Sequence, residues 1–544
     1  MSGSGRVAAR VLSTIRILVL FLAILAVVAV TARRLKIPPA ILLVVVGVSL
    51  SLAPGMPKIE LAPELVLLLI LPPVIYVAGV SMSWREFCFN LRPISLLAVG
   101  CVAFTTVAVA AAAHWLIGLD WNVAFLLGAI VSPPDVMAPL AIMRRLKVPR
   151  RLALVLEGEG LVNDATALTF YRFAVAAIST GTFSPASAAG TFAVIVAGEV
   201  LYGIAVGWLI LRLRHWVRDA RVEITLALLT PYLAFWVPEH FGGSGVLATV
   251  AAGLYVSWNG PRLISAATRL QGIFFWDLII YLVEGMVFLL TGSQAVFLLR
   301  NIGDVPADTL LVYAAVTSAV VIAARFVWVF PATYLPRWLI PALGRGDPAP
   351  PWRVIFALGY TGVRGVVSLA AALAIPLAVA GGEAFPDRDL VIFLTFSVIL
   401  VTLVGQGLSL PIVMAWLKLP ELAREERSKE MTAEARARQK ALAAVARRTD
   451  EIGAERTLPR EVVDALQAGL ADRLVQLEHR THAEEDRRRL AELRQEIELS
   501  LLAYERDQIH ALERSGELID ETRRRIEREL DLMEVRLRGS AAEK

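Results

Sequence analysis

Long apolar stretches separated by short polar ones fill the first three quarters of the chain. They fall at 15–32, 37–54, 64–82, 94–117, 122–143, 153–179, 188–211, 222–238, 243–259, 270–298, 308–331, 354–378 and 390–416, thirteen in all. A helix needs about 20 apolar residues to cross a hydrocarbon layer of roughly 30 Å. Lipid offers the backbone no hydrogen-bond partners, so each stretch must satisfy itself as a helix; the runs are too long and continuous for a barrel. After Leu417 the pattern changes. Segments such as Leu490-Ala491-Glu492-Leu493-Arg494-Gln495-Glu496-Ile497 have amphipathic helical spacing. That spacing predicts helices at about 421–449, 459–481, 484–513 and 517–537. The expected fold is an all-α polytopic membrane protein. Residues 1–417 form a domain of 13 transmembrane helices, and residues 418–544 form a cytoplasmic, charged α-helical domain. The first apolar run, Ile17 to Ala32, follows Arg6 and Arg10 in the layout of a signal peptide. No convincing small-x-small cleavage site follows it and another apolar run comes at once, so it reads as a retained first helix.

Composition agrees with this division. Of 544 residues, 57% are hydrophobic, against about 45–50% in soluble domains. The net charge of +5 does not call for nucleic acid, because the basic residues of the first domain sit in short loops. The loops after odd-numbered spans hold groups such as Arg33, Arg34 and Lys36, or Arg144, Arg145, Lys147, Arg150 and Arg151. The loops after even-numbered spans hold only Lys58, Arg300 and Arg388. Basic loops stay in the cytoplasm, so the N-terminus is expected outside and the charged tail inside, against the lone contrary cluster Arg6, Arg10 and Arg16. Cys88 and Cys101 make no disulfide framework.

Ionisable groups inside membrane spans are costly and mark function by default. The spans contain Asp135, Glu157, Glu159, Asp164, Arg172, Glu199, Asp277, Glu284, Arg325 and Arg364. Depth sorts them. At 1.5 Å per residue, Asp135 lies roughly 20 Å from Trp121, Asp164 roughly 18 Å from Leu152, and Arg364 roughly 16 Å from Arg353. All three reach the midplane. Two of the same spans are broken, one by Ser132-Pro133-Pro134-Asp135 and one by Gly359-Tyr360-Thr361-Gly362-Val363-Arg364-Gly365. If spans 1–6 repeat as spans 8–13, the breaks fall at matching positions, the strongest sequence pointer to a transporter site. Asp135 is placed to neutralise helix N-termini there, and Arg364 to neutralise C-termini. Glu159, five residues before Asp164, points away from it and reads as half of a buried ion pair with Arg364. Glu284 and Arg325 are candidates for a second pair. Glu157 lies near the cytoplasmic end and reads as the lining of a wet funnel, while Arg172, Glu199 and Asp277 read as structural or rim charges.

These residues resemble the monovalent cation:proton antiporters, in the bacterial sodium/proton exchanger branch that carries an Asn-Asp motif. The resemblance covers residues 15–417. It rests on Glu157-Gly158-Glu159-Gly160-Leu161-Val162-Asn163-Asp164-Ala165-Thr166-Ala167, on Leu71-Pro72-Pro73-Val74-Ile75-Tyr76 with Gly79, on Gly128-Ala129-Ile130-Val131-Ser132-Pro133-Pro134-Asp135, and on Gly362-Val363-Arg364-Gly365-Val366-Val367-Ser368-Leu369. It implies an inverted repeat with a dimerising scaffold and a mobile core. It implies that Asp164 binds an alkali cation or a proton with Asn163 beside it, that Asp135 and nearby carbonyls assist, and that Glu159 and Arg364 form the structural pair. It further implies electroneutral exchange, a homodimer in the plasma membrane among membrane lipid, and a part in pH and cation homeostasis. The partners are the monovalent cation and H+; no resident cofactor and no enzymatic activity are expected. Two departures stand out. Many relatives carry a hydroxyl where this chain has Gly160, and many exchangers carry Thr where it has Pro134; Ser132 and Thr166 are the compensating hydroxyls at hand. The alternative transport reading is a proton-uncoupled cation channel with a helical cytoplasmic domain.

Overall fold

The computed structural model describes residues 3–35, 37–52, 65–146, 148–180, 185–217, 219–295, 305–340, 347, 349–379, 383–455, 459, 461, 463–471, 485–514, 522, 525–527, 529–534 and 537. Of the loop charges named above, Lys36, Lys58, Lys147 and Arg300 lie outside them. Regular structure among the described residues is helical, with one isolated bridge between Ala378 and Ala384. Contacts divide the chain into Met1–Ala423 and Arg424–Lys544.

In the first unit the helices run α1 Gly3–Leu35, α2 Pro39–Leu52, α3 Leu71–Ser81 and α4 Trp84–Phe89. Next come α5 Leu91–Ile117, which includes two π-helical stretches, and α6 Trp121–Val131. They continue as α7 Met137–Leu146, α8 Arg150–Thr180, α9 Pro185–Val217, α10 Ala220–His240, α11 Val246–Leu263, α12 Ala266–Ser293 and α13 Ala307–Leu339. The last are α14 Trp352–Tyr360, α15 Val366–Leu373 and α16 Arg388–Trp416. By length and composition, six of the described helices can cross a membrane: α5, α9, α10, α12, α13 and α16. Shorter apolar helices cover Pro39–Leu52, Val66–Ser81 and Trp121–Val131. Of the other apolar stretches, spans 1 and 9 are the continuous helices α1 and α11, and the rest are split or charged. Span 5 is divided into α6 and α7, span 12 into α14 and α15, and α8 carries Glu157, Glu159, Asp164 and Arg172.

Local chemistry sets several helix ends. Asp120 accepts from the Asn122 amide at the start of α6, Asp219 from Arg221 and Val222 at the start of α10, and Ser265 from Thr268 at the start of α12. Small residues bring helices together where lipid supplies no hydrophobic drive between them. A Cβ on Gly47 would stand 2.3 Å from Leu289 O, and one on Gly292 would stand 2.1 Å from Val44 O, so α2 and α12 meet backbone to backbone. Gly79 and Gly253 do the same for α3 and α11. The expected repeat matches span 2 with span 9 and span 3 with span 10, and would exchange these two contacts.

Charges gather at both ends of the bundle. At one end Asp347 stands 2.8 Å from Arg92, 2.7 Å from Arg151 and 2.7 Å from Arg337, joining α5, α8 and α13. At the other, Arg172 on α8 pairs with Glu239 at 2.6 Å and donates to Gly242 O at 2.8 Å and to Gly243 O. The Glu199 carboxylate accepts from the amides of Ser244, Gly245 and Leu247 and so caps α11 across from α9. Arg172 and Glu199 therefore fasten the turn between α10 and α11, a structural use the sequence allowed for.

In the second unit, α17 (Leu419–Glu455) enters from the first and α18 covers Glu485–Arg514. These match the first and third expected tail helices. The second and fourth are described only in part, because residues 472–484 and most of 515–544 lie outside the described residues. The tail's surface pairs, such as Arg448–Glu451 at 2.8 Å, add little stability each.

Candidate functional site

The helix α6 stops because Pro133 and Pro134 donate no backbone hydrogen bond and Pro134 restricts the residue before it. The chain then runs without helix to Met137, where α7 begins. Span 12 breaks too, across residues 361–365, in its glycine-rich stretch. The two breaks touch: the Asp135 amide donates to Val363 O at 2.7 Å. A Cβ on Gly365 would fall 2.2 Å from Asp135 Oδ2, so glycine is what lets the second break lie against that carboxylate.

Each break leaves helix ends with unpaired backbone groups. Asp135 Oδ1 accepts from the Met137 amide at 2.9 Å, at the positive start of α7. Arg364 Nε donates to Val131 O at 2.6 Å, at the negative end of α6, and Nη1 donates to Gly362 O. The Arg364 amide donates to Thr402 Oγ1 at 3.0 Å, which pins the second break to α16. Thr402 lies in an apolar span and left no mark in the sequence pattern.

The Glu159 pairing differs from the expected one. Its carboxylate is held by Arg325, with Nη1 to Oε1 at 2.5 Å and Nη2 to Oε2 at 2.8 Å. Both residues are sealed, Glu159 at 0% and Arg325 at 1% exposure. Arg325 Nε also donates to Leu358 O at 3.1 Å, near the end of α14. Arg364 is committed to backbone carbonyls instead. Both arginines come up against Gly362, where a Cβ would meet Arg325 Cδ at 2.6 Å and Arg364 Nη1 at 3.1 Å. Arg325 is thus the partner of Glu159 and not of Glu284. Its position near the middle of the 33-residue α13 is the depth signal by which the sequence could have offered it.

On α8, Asn163 and Asp164 face the breaks. Asn163 is fully buried, its Nδ2 donates to Pro134 O at 2.7 Å, and its Oδ1 has no partner among the described residues. Asp164 is half-buried and lines a small cavity with Pro133, Tyr171 and Ser368. Ser132 donates to Ala129 O at 3.2 Å and Thr166 to Val162 O at 3.3 Å, each within its own helix. Gly160 packs on Val136: a Cβ there would lie 2.3 Å from Cγ2. Glu157 is half-buried, four residues before Leu161 on the same helix. No cluster of three metal-ligating side chains occurs among the described residues.

A multi-pass helical membrane transporter is the class that these broken, charge-capped spans define. The chain belongs to the sodium/hydrogen exchanger family, whose transmembrane model matches residues 17–416. An uncharacterised Na(+)/H(+) exchanger of Mycobacterium tuberculosis is 34% identical over 515 residues, 93% of each chain. The sodium, potassium, lithium and rubidium/H(+) antiporter of Bacillus subtilis is 34% identical over 389 residues, covering 69% of this chain and 58% of the relative. The fold is similar to that of the sodium proton antiporter MjNhaP1 from Methanocaldococcus jannaschii, with TM-score 0.57 and 19% identity over 75% of this chain and 99% of that one. The family consists of transporters rather than enzymes, and the names of the relatives support cation/proton exchange over a channel.

Proposed function

We propose that the chain exchanges a monovalent cation for H+, one for one, with Asp164 as the acid that the two occupy in turn. Na+ is the first candidate, and K+ and Li+ follow. The observation that carries this reading is the placement of Asp164, which lines a cavity beside the contact of two broken helices. Hard alkali cations take oxygen ligands. The Asp164 carboxylate, the unpartnered Asn163 Oδ1 and carbonyls freed by the breaks supply them, with Ser132 and Asp135 close by. Asp135 and Arg364 hold the helix ends in place while the occupant changes. Glu159 and Arg325 brace α8 against α13, so that α8 moves as part of a rigid core. An occupied or protonated Asp164 carries less net charge than an empty one and crosses the apolar barrier more readily. That difference couples the two fluxes without covalent chemistry.

The wider reading follows the same lines. Thirteen spans put the Asp347 end and the tail in the cytoplasm and the N-terminus outside, in the plasma membrane, as a homodimer serving pH and cation homeostasis. The tail is a regulatory or dimer-contact module. In proteoliposomes carrying a pH-sensitive dye, Asp164→Asn should abolish cation-driven pH change while the protein stays folded. Proton-coupled cation flux retained in that variant sinks the assignment.

A further inference from the structure

The cavity beside Asp164 measures about 10 Å³ for the centre of a water-sized sphere, room for about one water or one bare cation. Its wall is mostly alanine, isoleucine, leucine, valine and proline. Apart from Asp164, its oxygen-bearing side chains are Tyr171 and Ser368. Tyr171 stands two turns further along α8, roughly 10 Å beyond Asp164 along the axis, and packs its ring on the apolar core. Ser368 is different. It belongs to the first turn of α15, directly after the break, three residues past the Gly365 that touches Asp135. Ser368 is 2% exposed. The hydroxyls of Ser132, Thr166 and Thr169 donate to carbonyls of their own helices. That of Ser368 makes no hydrogen bond to any described residue. On α8 itself the preceding turn brings no oxygen to the cavity, since Gly160 is pressed against Val136.

A hydroxyl that lines so small a space together with a carboxylate has two uses. With the space empty of cation, its O–H can turn to the carboxylate. With a cation present, it turns a lone pair to the ion. We propose that Ser368 is a ligand of the transported cation, shared with Asp164, and that its hydroxyl sets the preference among alkali cations. The inference rests on the exchange site proposed above and adds its second side chain. A small ion surrenders its water only for other hard oxygens, so loss of one oxygen handicaps Li+ most and K+ least.

The test uses the full chain in proteoliposomes, with Li+, Na+ and K+ as probes, and compares Ser368→Ala, Ser368→Cys and Asp164→Asn. Cysteine keeps the volume but offers a soft sulfur, a poor ligand for hard cations. Both serine variants should raise the apparent KM for Na+ about ten-fold, the scale of one oxygen contact to a charge, with kcat nearly unchanged. The rise should be greater for Li+ than for K+. In detergent, the cation concentration that half-maximally raises the melting temperature should shift by the same factor, which separates binding from transport. If Ser368→Ala fails to fold, the near-isosteric Ser368→Cys decides. Unchanged KM and unchanged cation stabilisation in a folded variant overturn the role of Ser368 and leave Asp164 standing. Exchange persisting in Asp164→Asn removes the site itself, and Ser368 with it.

Discussion

Glu159→Gln should be among the most damaging substitutions in the chain although it touches no part of the cavity. The pair it breaks is bidentate, at 2.5 and 2.8 Å, between side chains at 0% and 1% exposure. Removing one member of such a pair leaves the other charge buried, at a cost of about 3–5 kcal/mol. The expected fall in melting temperature is on the order of 10 °C, read from intrinsic tryptophan fluorescence of the purified protein. Replacing both members, Glu159→Leu with Arg325→Met, removes both charges and should recover most of the loss, apart from the hydrogen bond that Leu358 O receives from Arg325 Nε at 3.1 Å. A double-mutant cycle then identifies the partner. Glu159→Gln with Arg325→Gln should show a coupling of about 2–3 kcal/mol, and Glu159→Gln with Arg364→Gln about 1 kcal/mol or less. A melting temperature within about 2 °C of wild type, a loss of no more than about 1 kcal/mol, refutes the reasoning, and so does a coupling that is larger with Arg364.

Gly365→Ala places a methyl 2.2 Å from Asp135 Oδ2; the contact between the two breaks must open, and cation-driven pH change should fall at least ten-fold, a change a pH-dye assay reads directly. Asp347→Asn should destabilise the protein by about 2 kcal/mol at neutral pH. Burial alone would raise the Asp347 carboxyl, but the hydrogen bond and charge of Arg151, with Arg337 and Arg92, hold it below the ordinary carboxylate range. A depressed value means its contribution is complete above the unfolded pKa of about 3.9 and is lost as pH falls through the folded value. Wild type and Asp347→Asn should therefore converge in melting temperature only below about pH 4; convergence already at pH 6 contradicts the network. Removing residues 424–544 should shift the pH profile of exchange if the tail regulates; an identical profile shows that it does not.

Sequence alone determined that this chain is a helical membrane protein, where its charged tail begins, and which two spans are broken. Those properties are local. Apolar length, consecutive prolines and clustered glycines act on their own stretch of backbone, and the cost of a charge in lipid makes Asp135, Glu159, Asp164, Arg325 and Arg364 visible one by one. Depth along a helix follows from counting residues, and it placed Asp135, Asp164 and Arg364 on one level. What it could not supply was the rotation of each helix and the identity of its neighbour. Hence the sequence offered Arg364 to Glu159, an arginine of suitable depth, whereas packing of α13 against α8 brings Arg325 to it and sends Arg364 to the carbonyl end of α6. Thr402 and Ser368 were out of reach for the same reason. A lone hydroxyl in an apolar span costs little and leaves no trace in the pattern, and only the packing of α15 and α16 around the two breaks brings Thr402 to the Arg364 amide and Ser368 to the cavity beside Asp164.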